Sequence, residues 1–344
     1  MSPAASVNPP RFRFGDLPDD LVRTVFEVAA NDCDKFAWSL AYVSKAVRSW
    51  VEPILYRQLP IDSQKTLLHL LSNVNTTAPL SSKPPGFYRS YVRRIYFGDR
   101  YNQGLKGITD LISACPNVTR LSAMTMANPN LPVHEMDCLV GNHATWDLLR
   151  PTWLTISPCL FVPSRRHFRF AADSGSNYDP IFTHITHLEL TWIRTHDVTW
   201  SWSSLPLLTA LSHLCISSTP GNDALTCAAR NLRAAMPWFP PTLIVCVFAF
   251  PRLTWPIAIV RRDAKQLVLE NGWRLDPRIV AAVPKAYYMY QLGTGSERMW
   301  IEDEAICRWD GEYQRVTHEE DFWEQAVAMM QRKRDENLQG NEKR

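Results

Sequence analysis

The sequence predicts an α/β protein. It has a small helical module near the N-terminus, then a curved stack of strand–helix units, and a capping helix at the C-terminal end. Three observations predict this. Between residues 17 and 50, apolar side chains recur at spacings of three and four, the period of an amphipathic helix. From residue 92 onward, short runs carry apolar residues at relative positions one, four and six; the last two fall on one face of a strand. Between these runs lie segments of helical pattern, two of which stop at a proline. A chain of 344 residues is long enough for two domains and for a large core.

The first helix starts at Leu17-Pro18-Asp19-Asp20, a Pro followed by two acids that the positive end of the helix dipole favours. Leu17, Leu21 and Val25 recur every four residues, with Val22 and Phe26 one place on, which makes a broad apolar stripe. A second helical run from Lys35 to about Trp50 carries Phe36, Leu40, Val43, Val47 and Trp50. Helices this short and this close together have more apolar face than they can bury among themselves. The excess goes against the rest of the chain or against a partner.

The residues Leu17-Pro18-x-Asp20-Leu21-Val22-x-x-Val25-Phe26, then Leu40-x-x-Val43-Ser44-Lys45-x-x-Arg48, resemble an F-box. Asp20 stands where that family usually has Glu, Ser44 where it has Cys, and Val47 where Trp is common. The following Val51-Glu52-Pro53-Ile54-Leu55-Tyr56-Arg57-Gln58-Leu59 is similar to the extension in many F-box-like proteins of mushroom-forming fungi. The resemblance implies a module over residues 15–60 that docks on a Skp-type adaptor of a cullin–RING ubiquitin ligase. The adaptor contacts it implies are Leu17, Pro18, Asp20, Leu21, Val25, Phe26, Leu40, Val43 and Lys45. An ordinary amphipathic hairpin packed on its own domain is the simpler alternative.

Residues 1–14, rich in Pro, read as a disordered arm. Residues 61–91 read as a short helix, Thr66 to Val74, and a linker holding Pro79, Pro84, Pro85 and Gly86.

The repeat then occupies residues 92–316. Its triplets are Val92/Ile95/Phe97, Val118/Leu121/Ala123, Pro151/Leu154/Ile156, Ile185/Leu188/Leu190, Leu211/Leu214/Ile216 and Leu243/Cys246/Phe248. The starts lie 26 to 34 residues apart, at or just above the roughly 20–29 residues of a leucine-rich repeat. Helical segments fall between them at Gly107–Pro116 and Asp223–Met236. The turn Cys115-Pro116-Asn117-Val118-Thr119-Arg120-Leu121 resembles the helix-to-strand turn of leucine-rich repeats, although the usual repeat Asn is missing. Stacked units of this kind share one continuous core and expose a binding platform. A general α/β domain with a parallel sheet is the alternative. Further on, Gln266–Glu270 and Tyr287–Leu292 read as strands. Thr317-His318-Glu319-Glu320 reads as a capping box opening a helix over 317–334, placed across the open end of the stack. Its end at Arg332-Lys333-Arg334 suits the dipole, and residues 335–344 read as a disordered tail.

Composition narrows the function. The net charge is +3 with no cluster of Lys and Arg, so neither nucleic acid nor an acidic membrane is an expected partner. The longest apolar run, Leu243 to Phe250, is too short to span a bilayer. The N-terminus lacks an apolar signal region. Eight cysteines are scattered without a Cys-x-x-Cys pair and read as reduced thiols, so the expected location is the cytoplasm, the nucleus or both.

Chemistry is sparse. Gly293-Thr294-Gly295-Ser296 lacks the Lys-Ser/Thr of a phosphate loop and reads as a turn. No Gly-x-Ser-x-Gly elbow exists. His184-x-x-His187 falls at a strand edge, and His134-Glu135-Met136-Asp137-Cys138 lacks a second His, so both read as surface or capping histidines. The acids Glu302-Asp303-Glu304 read as a solvated turn. Trp192, Arg194, Trp200 and Trp202 follow the strand at 185–190 and mix the residue types that anchor protein interfaces. They are the candidate substrate contacts, with packing under a long loop as the alternative.

The expected function is therefore a substrate receptor of a Skp–cullin–F-box ubiquitin ligase. It would hold an unidentified protein substrate and use no cofactor and no catalytic residue of its own. A leucine-rich-repeat scaffold outside any ligase is the alternative. An enzyme of another type would need a deep pocket with converging polar groups.

Overall fold

The computed structural model describes residues 17–32, 37–61, 63–75, 83–97, 107–123, 144–156, 180–193, 202–218, 224–249, 275–283, 300–302 and 319–342. The chain divides into two compact units, the boundary falling between Gln58 and Leu59.

The first unit is helical: α1 (Asp19–Asp32), α2 (Ala37–Leu40) and α3 (Lys45–Leu55) pack on one another. The single run expected from Lys35 to Trp50 is two helices. Ser44 separates them: its backbone is extended, and its hydroxyl accepts from the Val47 amide at 3.1 Å, which is an N-cap. The periodicity of three and four survives such a break, which is why it hid the boundary. On α3, Val47, Val51 and Leu55 form the buried stripe. Ion pairs at the four-residue spacing, Arg23–Glu27 at 2.6 Å and Arg48–Glu52 at 2.7 Å, line the wet faces.

The second unit is built on one open sheet. Its strands are β1 (Gln58–Ile61), β2 (Arg94–Phe97), β3 (Arg120–Ala123), β4 (Trp153–Ile156), β5 (His187–Ile193), β6 (His213–Ser218), β7 (Val245–Ala249), β8 (Ile279–Val283) and β9 (Trp300–Glu302). They lie in sequence order, and every neighbouring pair from β2 to β9 is parallel. The register joins Ile95, Leu121, Leu154, Leu188, Leu214 and Cys246 in one row across the sheet, which are the fourth positions of the triplets. Ile279 extends the row on β8, a strand the sequence reading did not include. The sixth positions make the next row on the same face; the fourth-position residues and Phe97, Ile156, Leu190, Ile216 and Phe248 are buried. The strand expectations at Gln266–Glu270 and Tyr287–Leu292 lie outside the described residues.

Helices cover that face: α4 (Gln64–Asn75), α5 (Phe87–Tyr91), α6 (Ile108–Ala114) and α7 (Ala224–Ala235), with single 3-10 turns at 144–148, 180–182, 202–207 and 236–238. Helix α5 falls within the expected linker and buries Phe87 and Tyr88. Gly107, with φ at +98°, opens α6 in the left-handed region, where a side chain is strained.

At the second position of successive units stand Thr119, Thr152, Thr186 and Ser212. Each hydroxyl donates to the carbonyl of the second-position residue one strand back, at 3.2, 3.3, 3.0 and 3.1 Å. The amides of the second and third positions reach the same carbonyls. A hydroxyl ladder thus ties the strand entrances together.

Helix α8 (Glu319–Glu342) differs from expectation in place and in length. It lies on the sheet's other face, not across its end. The third, fifth and seventh positions of β4 and β6–β8 include Trp153, Cys215, Val245, Val247, Ala249, Val280 and Ala282, which are apolar. Phe322, Trp323, Ala326 and Met330 of α8 form one buried cluster with them. A parallel sheet apolar on both faces needs cover on both. The helix also continues past Arg332-Lys333-Arg334 to Glu342, into the expected tail; Lys333 is buried. The Thr317 cap expected for it lies outside the described residues. Among the described residues, no helix is long and apolar enough to cross a membrane.

Candidate functional site

Two surfaces carry functional potential, one on each unit. On α1, Leu21, Val25 and Val28 are spaced by four and three, so they share a face, and they are 49 %, 48 % and 53 % exposed. In the turn between α2 and α3, Tyr42 and Val43 stand out at 89 % and 59 %. Pro18, Asp20 and Lys45 are also exposed, while Leu17, Phe26 and Leu40 are half-buried. Trp38, itself partly exposed, meets Tyr56 edge-on at 5.2 Å. Ser44, a departure from the F-box pattern, acts as the cap described above.

The second surface is a groove of about 500 Å3 between the third-position column of the sheet and α8. The parallel register places Arg120, Trp153, His187 and His213 side by side on β3 to β6. They stack face to face. The Arg120 guanidinium lies 4.2 Å from the Trp153 ring, Trp153 lies 4.3 Å from His187, and His187 lies 4.1 Å from His213 at an interplanar angle of 7°. Trp323 of α8 stands edge-on to Trp153, His187 and His213 at 6.1, 5.4 and 5.2 Å. Glu324, Val327 and Gln331 complete the helix wall.

The hydroxyl ladder anchors the histidine rings. Thr186 Oγ1, joined to the ladder at the Thr152 carbonyl, is hydrogen-bonded to His187 Nδ1 at 2.9 Å. Ser212 Oγ, joined to it at the Thr186 carbonyl, holds His213 Nδ1 in the same way at 2.8 Å. Burial pushes the His187 pKa down to about 3, helped by His213 and by Arg120; burial lowers that of His213 too. Both rings are neutral at pH 7. They line a groove whose helix wall includes Glu324.

The surface reading of His187 is thus corrected: its ring is the centre of a stacked column, while His184 is exposed. Trp192, expected just beyond its strand, lies within β5, where the register with β6 shifts between Leu190 and Ile193. Trp202 opens a 3-10 turn and is half-buried. Arg194 and Trp200 lie outside the described residues, as do Gly293–Ser296 and His134–Cys138. The groove was missed because its members are 26 to 34 residues apart in sequence. The available signal was the third position of each unit, which reads Arg94, Arg120, Trp153, His187, His213 and Val245, polar and aromatic up to β6, beside an apolar fourth position.

Elsewhere, Asp276 and Arg278 pair at 2.7 Å beside β8. Burial alone would raise the Asp276 pKa, but the hydrogen bonds from Arg278 hold it below its ordinary value. Cys115, Cys215 and Cys246 are buried, and burial pushes their thiol pKa values up, so they are poor nucleophiles. Among the described residues, no three His, Cys, Asp or Glu gather as a metal site. No family model matches the sequence, and no curated protein matches it.

Proposed function

We propose that the chain is a substrate-recognition subunit of a Skp–cullin–F-box ubiquitin ligase. The helical unit docks on a Skp-type adaptor, and the sheet unit, an irregular leucine-rich-repeat solenoid, holds a protein substrate. The observation that carries this is the exposed apolar face of α1, Leu21, Val25 and Val28, inside the F-box-like residues. Leaving such side chains in water forgoes roughly 1.5–3 kcal/mol each compared with full burial. Exposed apolar faces of this kind mark partner sites.

Two features support the solenoid reading: strands in sequence order, and triplets that stay in register over intervals of 26 to 34 residues. In this role the protein performs no chemistry, because ubiquitin transfer belongs to other subunits, and it works in the cytoplasm or nucleus.

The test is a pull-down of the full chain against a purified fungal Skp-type adaptor, with Leu21→Asp as the paired variant. Leu21 is 49 % exposed, so the change leaves folding nearly intact. Capture of the wild type and loss in the variant are expected. No capture of a folded wild-type chain would refute the ligase role and leave an interaction scaffold.

A further inference from the structure

We propose that the groove beside α8 binds a carboxylate of a substrate peptide, held at the β3 end by Arg120 with Arg94 of β2 beside it. This deepens the proposed function and rests on the sheet unit being the substrate-holding part.

Register puts the two cations together. Arg94 and Arg120 are paired neighbours on the parallel strands β2 and β3. Ile95 and Leu121, the next residues along, are buried under the helices, so both arginine side chains leave the sheet on the face where α8 lies. Neighbouring strands are about 4.8 Å apart, a spacing at which two guanidinium groups can share one carboxylate. Like charges placed directly opposite on adjacent strands destabilise a sheet, and a shared anion relieves that repulsion. Arg120 lines the groove, and its guanidinium is braced over the Trp153 ring, 4.2 Å from the centroid. A group already held in this way loses little freedom when it takes a ligand.

The field in the groove has the sign this needs. Arg120 is among the causes that lower the His187 pKa, so its positive charge is felt across the Trp153 ring. The imidazoles themselves are neutral at pH 7 and set no negative charge beside it. Glu324 on the helix wall has the opposite sign, but it is exposed and solvent screens it. Glu189, at the fifth position two strands away on β5, is engaged by Thr155 Oγ1 at 3.0 Å. Val327 and Ala328 of α8 supply an apolar wall for the aliphatic part of the peptide.

The experiment labels the full chain with 15N-arginine and follows the Nε–H signals, assigned by substitution, at pH 7. The ligands are Ac-Gly-Glu-Gly-NH2, Ac-Gly-Gly-OH and Ac-Gly-Lys-Gly-NH2. The Arg120 signal should move saturably with at least one of the two carboxylate peptides and not with the Lys peptide. The tighter of the two names the source, a side chain or a chain terminus. Arg120→Gln, read from the Arg94 signal, should weaken binding about tenfold or more. Arg94→Gln, read from the Arg120 signal, should weaken it about threefold or more. Glu324→Gln should leave the affinity unchanged or raise it. Absence of a saturable shift with both carboxylate peptides, an equal response to the Lys peptide, weaker binding in Glu324→Gln, or unchanged affinity in every arginine variant that folds would overturn the proposal. Adaptor capture is measured separately, so a failed ligase role and a failed carboxylate site give different results.

Discussion

Replacing His187 with Phe should flatten the acid side of the protein's stability profile. In an unfolded chain the imidazole titrates near 6.5; in the fold it titrates at about 3, because burial disfavours the cation and His213 and Arg120 add to the effect. Between those values the unfolded state binds the extra proton. Stability is therefore complete above pH 6.5 and is lost as pH falls toward 3. Each pH unit in that window costs about 1.4 kcal/mol, so this one ring removes about 2 kcal/mol at pH 5 and about 3 kcal/mol at pH 4. Phe keeps the stack between Trp153 and His213 and cannot titrate. Urea unfolding of the wild type and His187→Phe at pH 7.5 and pH 5 gives two stability losses. The variant's loss should be smaller by about 2 kcal/mol, whatever its absolute stability. Other titrating groups, His213 included, are common to both chains and largely cancel. Losses equal to within about 0.5 kcal/mol would refute the buried, neutral histidine column.

Trp323→Ala removes the ring that closes α8 onto the sheet and should cost about 3–5 kcal/mol by urea unfolding, while raising the pKa of His187 toward its ordinary value in an NMR titration. Thr186→Val deletes one rung of the ladder and leaves His187 Nδ1 without its hydroxyl partner; a loss of about 1–3 kcal/mol is expected from the same assay. Gly107→Ala forces a side chain into a left-handed backbone and against Leu71, and should lower stability by about 1–2 kcal/mol in thermal unfolding.

The sheet was legible because its signal is periodic. Leu121, Leu154, Leu188 and Leu214 are spaced irregularly, yet each sits at the fourth place of its triplet, and the register follows that place. The helices α6 and α7 were legible from their apolar spacing and terminal prolines. Less was legible where two kinds of burial share one pattern. The apolar fifth positions of β6–β8, Cys215, Val247 and Val280, show that both faces are covered, but they do not say by what; only the fold brings α8 there. The stacked column of Arg120, Trp153, His187 and His213 depends on register alone, and no local spacing encodes it. The break over residues 41–44 hid inside a helical period because the turn leaves Leu40, Val43 and Val47 at spacings of three and four. The apolar face of α1 was legible in composition, and its exposure was not, since the same stripe serves a core equally well.

The sequential order of the strands also bears on how the chain is made. Each strand from β3 to β9 finds its partner in the strand that left the ribosome just before it, so the sheet can lengthen as synthesis proceeds. Among the described strands none waits for a distant partner, which spares this parallel sheet the slow, long-range closures that such sheets otherwise need. Helix α8 is the exception. It is made after every strand of the sheet, yet it lies against strands as early as β4 through Trp153. Until it arrives, Trp153, Val245, Val247 and Val280 face water on the nascent chain. During that interval this face of the sheet has no cover, and a chain truncated before Glu319 would keep it uncovered.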